Sequence, residues 1–124
     1  MGTVLVADDD QTCLDSIRKV LERDGYVVES ALNVDGALQA LRTRQFDLVV
    51  CDYRMPGKTG MDLLQEIKRE SWNLPVLMIT ADLDAGTEEH ARQLGAWLMK
   101  KPVRRQALLE IIARLCGAVT SHAA

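Results

Sequence analysis

Five short apolar runs alternate with five longer stretches of helical period along this chain, and that alternation limits its fold more than any other feature. The runs, read as strands, are Thr3–Ala7, Tyr26–Ser30, Asp47–Cys51, Val76–Thr80 and Trp97–Lys100. Between and after them, Gln11–Arg23, Val34–Arg44, Met61–Glu70, Thr87–Leu94 and Arg104–Cys116 read as helices. Val34, Ala37, Leu38 and Leu41, and again Leu108, Ile111, Ile112 and Leu115, repeat at i, i+3, i+4, i+7, which lines apolar side chains along one helical face. Asp10 is expected to cap the first helix, because a short acidic side chain accepts from the unpaired N–H groups of the first turn. Gly25 stands where that helix should stop. Regular β-α alternation calls for a parallel sheet with helices on both faces. The runs LVVC and VLMIT are apolar on both sides, as strands covered on both faces must be.

With 124 residues the chain can bury one core, and 48% hydrophobic with 27% charged residues matches a soluble globular domain. A net charge of -3 leaves no basic footprint for nucleic acid, so direct DNA or RNA contact by this domain is not expected. Cys13, Cys51 and Cys116 are odd in number and scattered, with no CxxC and no His at a ligand spacing. That pattern argues against a disulfide framework or a zinc site and points to a reducing, cytoplasmic setting. The opening MGTVLV has no signal-peptide pattern and no myristoylation Ser or Thr, and no apolar run reaches a membrane span. Residues 1–118 are expected to form the domain, and 119–124 a short tail or the start of a linker.

In doubly wound sheets, ligands bind outside the carboxyl ends of the strands, where strand order reverses. Asp8 and Asp9 follow the first strand, Asp52 the third, Thr80 ends the fourth before Ala81 and Asp82, and Lys101-Pro102 follows the fifth. The second runs only into Ala31-Leu32-Asn33. Three carboxylates, a hydroxyl and an ammonium would thus meet at one edge. Clustered carboxylates need a partner or a metal when buried. Acids from neighbouring strand ends make a hard oxygen site suited to Mg²⁺, which takes few protein carboxylates, keeps waters and accepts phosphate oxygens. A fixed lysine and a hydroxyl can stabilise the oxygens of a phosphoryl group in transfer. Asp52, alone on the middle strand, is the expected nucleophile, since carboxylates form aspartyl-phosphates. Taken singly, Asp8-Asp9-Asp10 would be a helix start, Asp52 a turn residue, Thr80 a strand end and Lys101 a surface lysine. Their joint placement carries the reading. His90 and His122 are expected in solvent, and Met78 and Met99 in the core. Lys100, Lys101, Arg104 and Arg105 form a basic cluster too short for a nucleic-acid stripe.

VLVADDD, DLVVCDYRMPGKTG, VLMITA and KKP, in that order and across essentially the whole chain, resemble the receiver domain of two-component response regulators. The resemblance implies a flavodoxin-like (βα)5 fold with strand order 2-1-3-4-5. It implies Mg²⁺ held by Asp9 directly, Asp8 mainly through water, Asp52, and the backbone carbonyl of Arg54. Asp52 would be the phospho-acceptor, Thr80 the switch hydroxyl and Lys101 the phosphoryl-binding lysine, with a cis bond into Pro102. Met55-Pro56-Gly57 and Gly60 match the loop that leads into the third helix. Implied partners are a histidine kinase or phosphotransfer protein upstream and an effector downstream, reached through the helix 4–strand 5–helix 5 face. Dimerisation through the fourth-helix face is common in such a family and is carried as an option. The domain would assist its own phosphorylation and dephosphorylation without turning over an external metabolite.

Two departures stand out. Between Gly95-Ala96 and Lys101-Pro102 the chain is one residue shorter than the usual spacing, which puts Leu98 where an aromatic normally sits. Trp97 next door should face the other way by strand alternation, so either Leu98 replaces the aromatic or the register shifts and Trp97 serves. The fourth helix is thin in apolar residues, with Ala91 and Leu94 its inward candidates. Arg54 and Asp82 are expected to flank the mouth of the site and tune the access of water to a phosphorylated Asp52. The alternatives are a receiver-like scaffold with no phosphorylation cycle and, ranked last, a metal-dependent phosphohydrolase, for which the DxD nucleophile pair is missing.

Overall fold

The computed structural model describes residues 2–81 and 83–123, with side chains described as far as Gly117. Its elements run β1 (Thr3–Ala7), α1 (Gln11–Arg23), β2 (Val27–Ala31), α2 (Val34–Thr43), β3 (Leu48–Asp52), α3 (Gly60–Arg69), β4 (Val76–Thr80), α4 (Ala85–Gln93), β5 (Trp97–Lys100) and α5 (Arg105–Ala123). The five strands are all parallel, in the order β2-β1-β3-β4-β5, the expected doubly wound sheet. Strand order reverses at β1, so a crevice opens beyond the carboxyl ends of β1 and β3.

Alternation along the central strands divides the core between the two faces of the sheet. Leu5, Val49, Cys51 and Met78 pack with Ala37 and Leu38 of α2, Leu64 and Ile67 of α3, and Ala91 of α4. Val4, Val6, Val50, Leu77 and Ile79 pack on the other face with Leu14 and Leu21 of α1 and Leu108 and Ile112 of α5. Burial on both faces is why β3 and β4 carry no polar residue until their last position.

Helix starts are fixed by short polar caps. Asp10 accepts from the N–H of Thr12 and Cys13, and Asn33 from Gly36. Thr59 and Asp62 form a reciprocal capping box at α3. Asp84 accepts from the N–H of Thr87, which starts α4 at Ala85, ahead of the expected Thr87. β2 and β3 each lie one residue later than expected. At the far end, Gly117 is not among the positive-φ glycines, and α5 runs on through it to Ala123, well past the expected end at Cys116. Gly25 does end α1, with φ 95°. Among the described residues no helix is long and apolar enough to cross a membrane.

Candidate functional site

The sheet delivers each expected side chain to one edge. β1 ends in Ala7, whose partner across the sheet is Cys51, so Asp8 and Asp52 leave adjacent strands side by side. The N–H of Asp8 still donates to Ala31 O (3.0 Å), which carries the strand geometry one residue further and draws its side chain inward. Asp8 is 2% exposed and, with Thr80, is one of two buried polar residues among the described residues. Its Oδ1 accepts from the N–H of Asp10 (2.9 Å). Asp9 points out to solvent and lines an open cavity of about 600 Å³ with Asp10, Asp52, Arg54 and Lys101.

Asp52 is held at both oxygens. Oδ1 accepts from the N–H of Arg54 (3.1 Å), and Oδ2 from Lys101 Nζ (2.7 Å). The same ammonium lies 3.8 Å from Asp8 Oδ2. Lys101 reaches this place because its N–H continues the ladder to Thr80 O (3.0 Å), and the Lys101-Pro102 bond is cis, as expected. Burial works against the Lys101 charge, but the hydrogen bond it donates to Asp52 and the charges of Asp52 and Asp8 leave its pKa above the ordinary value. Asp8 moves the same way for another reason. Desolvation raises its pKa, the Asp10 N–H opposes this, and the nearby Asp52 charge adds to the rise. The edge therefore carries more negative charge than one lysine relieves.

Thr80 completes the set: it is 4% exposed, and its Oγ1 has no hydrogen-bond partner among the described residues. It lines a separate small cavity with Leu83, Glu88, Arg92 and Leu98. Leu98 thus takes the place beside Thr80, while Trp97 is 45% exposed on the other side of β5. Arg54 is exposed at the mouth of the larger cavity; its expected companion Asp82 lies outside the described residues. Among the described residues no three His, Cys, Asp or Glu side chains form a ready-made metal cage.

The remaining expectations resolve simply. His90 is exposed, Met78 is core, Met99 is only partly buried against the core because β5 is an edge strand, and His122 lies beyond the described side chains. Lys100, Arg104 and Arg105 are exposed, and of that cluster only Lys101 turns into the site. No disulfide joins Cys13, Cys51 and Cys116. Sequence reasoning missed Glu88 and Arg92, whose only signal is their i,i+4 spacing on α4. It also missed Gly60 as a close contact: a Cβ there would stand 2.6 Å from the carbonyl oxygen of Asp52.

Comparison with known proteins agrees with this geometry. Residues 4–113 match the family described as Response regulator receiver domain. The two-component response regulator ARR14 of Arabidopsis thaliana is 39% identical over 87% of this chain and 29% of its own length. The transcriptional regulatory protein FixJ of Bradyrhizobium diazoefficiens is 33% identical over 90% of this chain and 55% of its own. The chain therefore spans little more than half of one such relative and under a third of the other. The non-phosphorylated HemR receiver domain from Leptospira biflexa is 32% identical, with a TM-score of 0.86 over 94% of each chain. A CheY-like receiver domain from Methanospirillum hungatei is 27% identical, with a TM-score of 0.93 over 98% of each. An acidic pair, an aspartate gripped by a lysine and a buried strand-end threonine thus sit on a matching fold, and the chain belongs to the response regulator receiver domains of two-component systems.

Proposed function

We infer that residues 1–118 form a phospho-acceptor unit that takes a phosphoryl group from a histidine kinase or phosphotransfer protein onto Asp52, with Mg²⁺. The observation that carries this reading is the grip of Lys101 Nζ on Asp52 Oδ2 at 2.7 Å, beside a buried second carboxylate and an open cavity. In the transfer, a carboxylate oxygen of Asp52 forms the new bond to phosphorus. The bond from phosphorus to the donor imidazole nitrogen breaks, and the electron pair leaves with that nitrogen. Lys101 passes from the carboxylate to a phosphoryl oxygen. Thr80, whose hydroxyl has no partner among the described residues, donates to another.

The donors fit Mg²⁺. Asp8 is a nearly buried carboxylate whose charge is disfavoured by burial and by Asp52, so a divalent cation relieves both. Mg²⁺ ordinarily uses one or two carboxylates, waters and phosphate oxygens, without an all-protein cage. Asp8, Asp9, Asp52 and the Arg54 carbonyl would hold it. When bound, it supplies positive charge to the phosphoryl oxygens.

The signal leaves through α4, β5 and α5 toward an effector domain or protein, in a cytoplasmic setting and without direct nucleic-acid contact by this domain. Arg54, at the mouth, tunes dephosphorylation together with Asp82. The test is intact-mass labelling with acetyl phosphate and Mg²⁺, with Asp52→Asn and a metal-free sample alongside. One phosphoryl group, lost in both controls, is the expected result. No labelling of the folded protein would overturn the reading and leave a scaffold role.

A further inference from the structure

Thr80 stands between two surroundings. On one side Asp52 ends β3, paired with Ile79 of β4. On the other lies a cavity of about 70 Å³, walled by Leu83 and Leu98 and edged by Glu88, Arg92 and Lys100. That volume is about two waters' share of liquid, too small for a separate ligand of any size. It lies beside a hydroxyl that is buried and has no hydrogen-bond partner among the described residues. Leu98 has no polar atom with which to receive it. Glu88 does, and its side chain is 25% exposed. Arg92, 56% exposed one turn along α4, holds Glu88 Oε1 at 3.0 Å from Nη1. Such a surface pair adds little to stability, so its effect here is positional.

We propose that Glu88, held by Arg92, is the positioning residue through which α4 senses Thr80, as a second acceptor that competes for the Thr80 hydroxyl. The competing acceptor at Asp52 rests on the phospho-acceptor reading; the Glu88 side of the pair does not. One O–H cannot serve both. A hydroxyl turned toward Asp52 leaves Glu88 to Arg92 alone. A partner whose anionic group draws Arg92 away frees Glu88 to take the hydroxyl, and so opposes phosphorylation. By linkage, phosphorylation then favours the arrangement in which Arg92 stays with Glu88. α4 is suited to respond, because Ala91 is its only buried side chain and few contacts anchor it. Leu98 serves as a wall of the cavity and relays nothing.

The test is a double-mutant cycle of Thr80→Val and Glu88→Ala, read by native-state hydrogen exchange of the amides of residues 86–97. In the resting protein with Arg92→Ala as background, where Glu88 is free to take the hydroxyl, the two substitutions should be non-additive by about threefold in exchange rate. With acetyl phosphate and Mg²⁺, Glu88→Ala should label to the wild-type extent yet lose most of the exchange change in α4. Glu88→Gln, which keeps an acceptor oxygen, should recover it, and Leu98→Ala should retain it. Additive effects in the cycle, or a full α4 response in Glu88→Ala, would overturn the proposal. Failure of the wild type to label would instead overturn the phospho-acceptor reading, while the resting cycle would still decide on Glu88.

Discussion

At the scale of single residues, the site is an unbalanced charge account settled by burial. Asp8 is held out of water beside a second carboxylate, and its nearest cation is 3.8 Å away and closer to Asp52. Asp8→Asn removes that penalty and keeps an oxygen for the Asp10 N–H. Without divalent cation its melting temperature should exceed wild type by several degrees, since about 1 kcal/mol moves a domain of this size by roughly 4 °C. Added Mg²⁺ should narrow the gap by stabilising wild type alone. Equal melting points in both conditions would show that Asp8 carries no net cost. The cysteines are separable by burial. Burial pushes the Cys51 thiol up to about 12, with the Asp52 and Asp8 charges adding, and Cys116 to about 11. Cys13 is half-exposed, so brief iodoacetamide treatment should yield one adduct, at Cys13. Modification of Cys51 at the same rate would contradict the burial argument.

Between elements, the contact that matters most is α3 against the end of β3. The N–H of Gly60 donates to Tyr53 O at 2.8 Å, and a side chain there meets backbone at 2.6 Å (Asp52 O) and 3.0 Å (Tyr53 Cα). Backbone cannot rotate aside as a side chain can. Gly60→Ala should therefore cost about 1–3 kcal/mol in urea unfolding, the usual range for overpacking, and slow labelling of Asp52 by displacing it. Wild-type stability and labelling would mean that α3 slides freely. At α4, hydrogen bonds from the Thr87 N–H and hydroxyl hold the Asp84 carboxyl below its ordinary value. A lowered folded pKa means stabilisation is present above the unfolded value of 3.8 and lost as pH falls through the folded one. Exchange at the start of α4 should accelerate in that acid range, and Asp84→Ala should be fast at every pH. An unchanged profile in the mutant would remove the cap's role. These caps also show where sequence reading ran short. Asp10 was legible because it precedes an obvious helix. Asp84 and the Thr59–Asp62 box were not, because α4 offers almost no apolar period and the box closes with Asp in place of Glu or Gln. Gly117 looked like a stop, yet alanine and other small residues after it continue α5.

For the whole molecule, the parallel sheet was legible because β1, β3, β4 and β5 are written as largely apolar runs that lead straight to Asp8, Asp52, Thr80 and Lys101. What period and spacing cannot carry is distance: nothing in the one-dimensional pattern says that Lys101 chooses Asp52 over Asp8, or that Glu88 lines the same small cavity as Thr80. The two cores share one sheet, so they should fail together. Leu64→Ala on the α3 face and Ile112→Ala on the α5 face, both fully buried, should each cost about 2–5 kcal/mol. Each should keep a single transition, with fluorescence and circular dichroism coinciding. Separate midpoints would mean that one layer can melt without the other. The Asp52–Lys101 contact joins positions 49 residues apart, and it exists only when the third, fourth and fifth strands are aligned. During synthesis, a nascent chain that already displays Asp52 still lacks its lysine until the ribosome has passed position 101, and the fold cannot close until that segment clears the exit tunnel. A contact assembled so late is missing from every unfinished copy, so the charged edge is complete only in a finished domain.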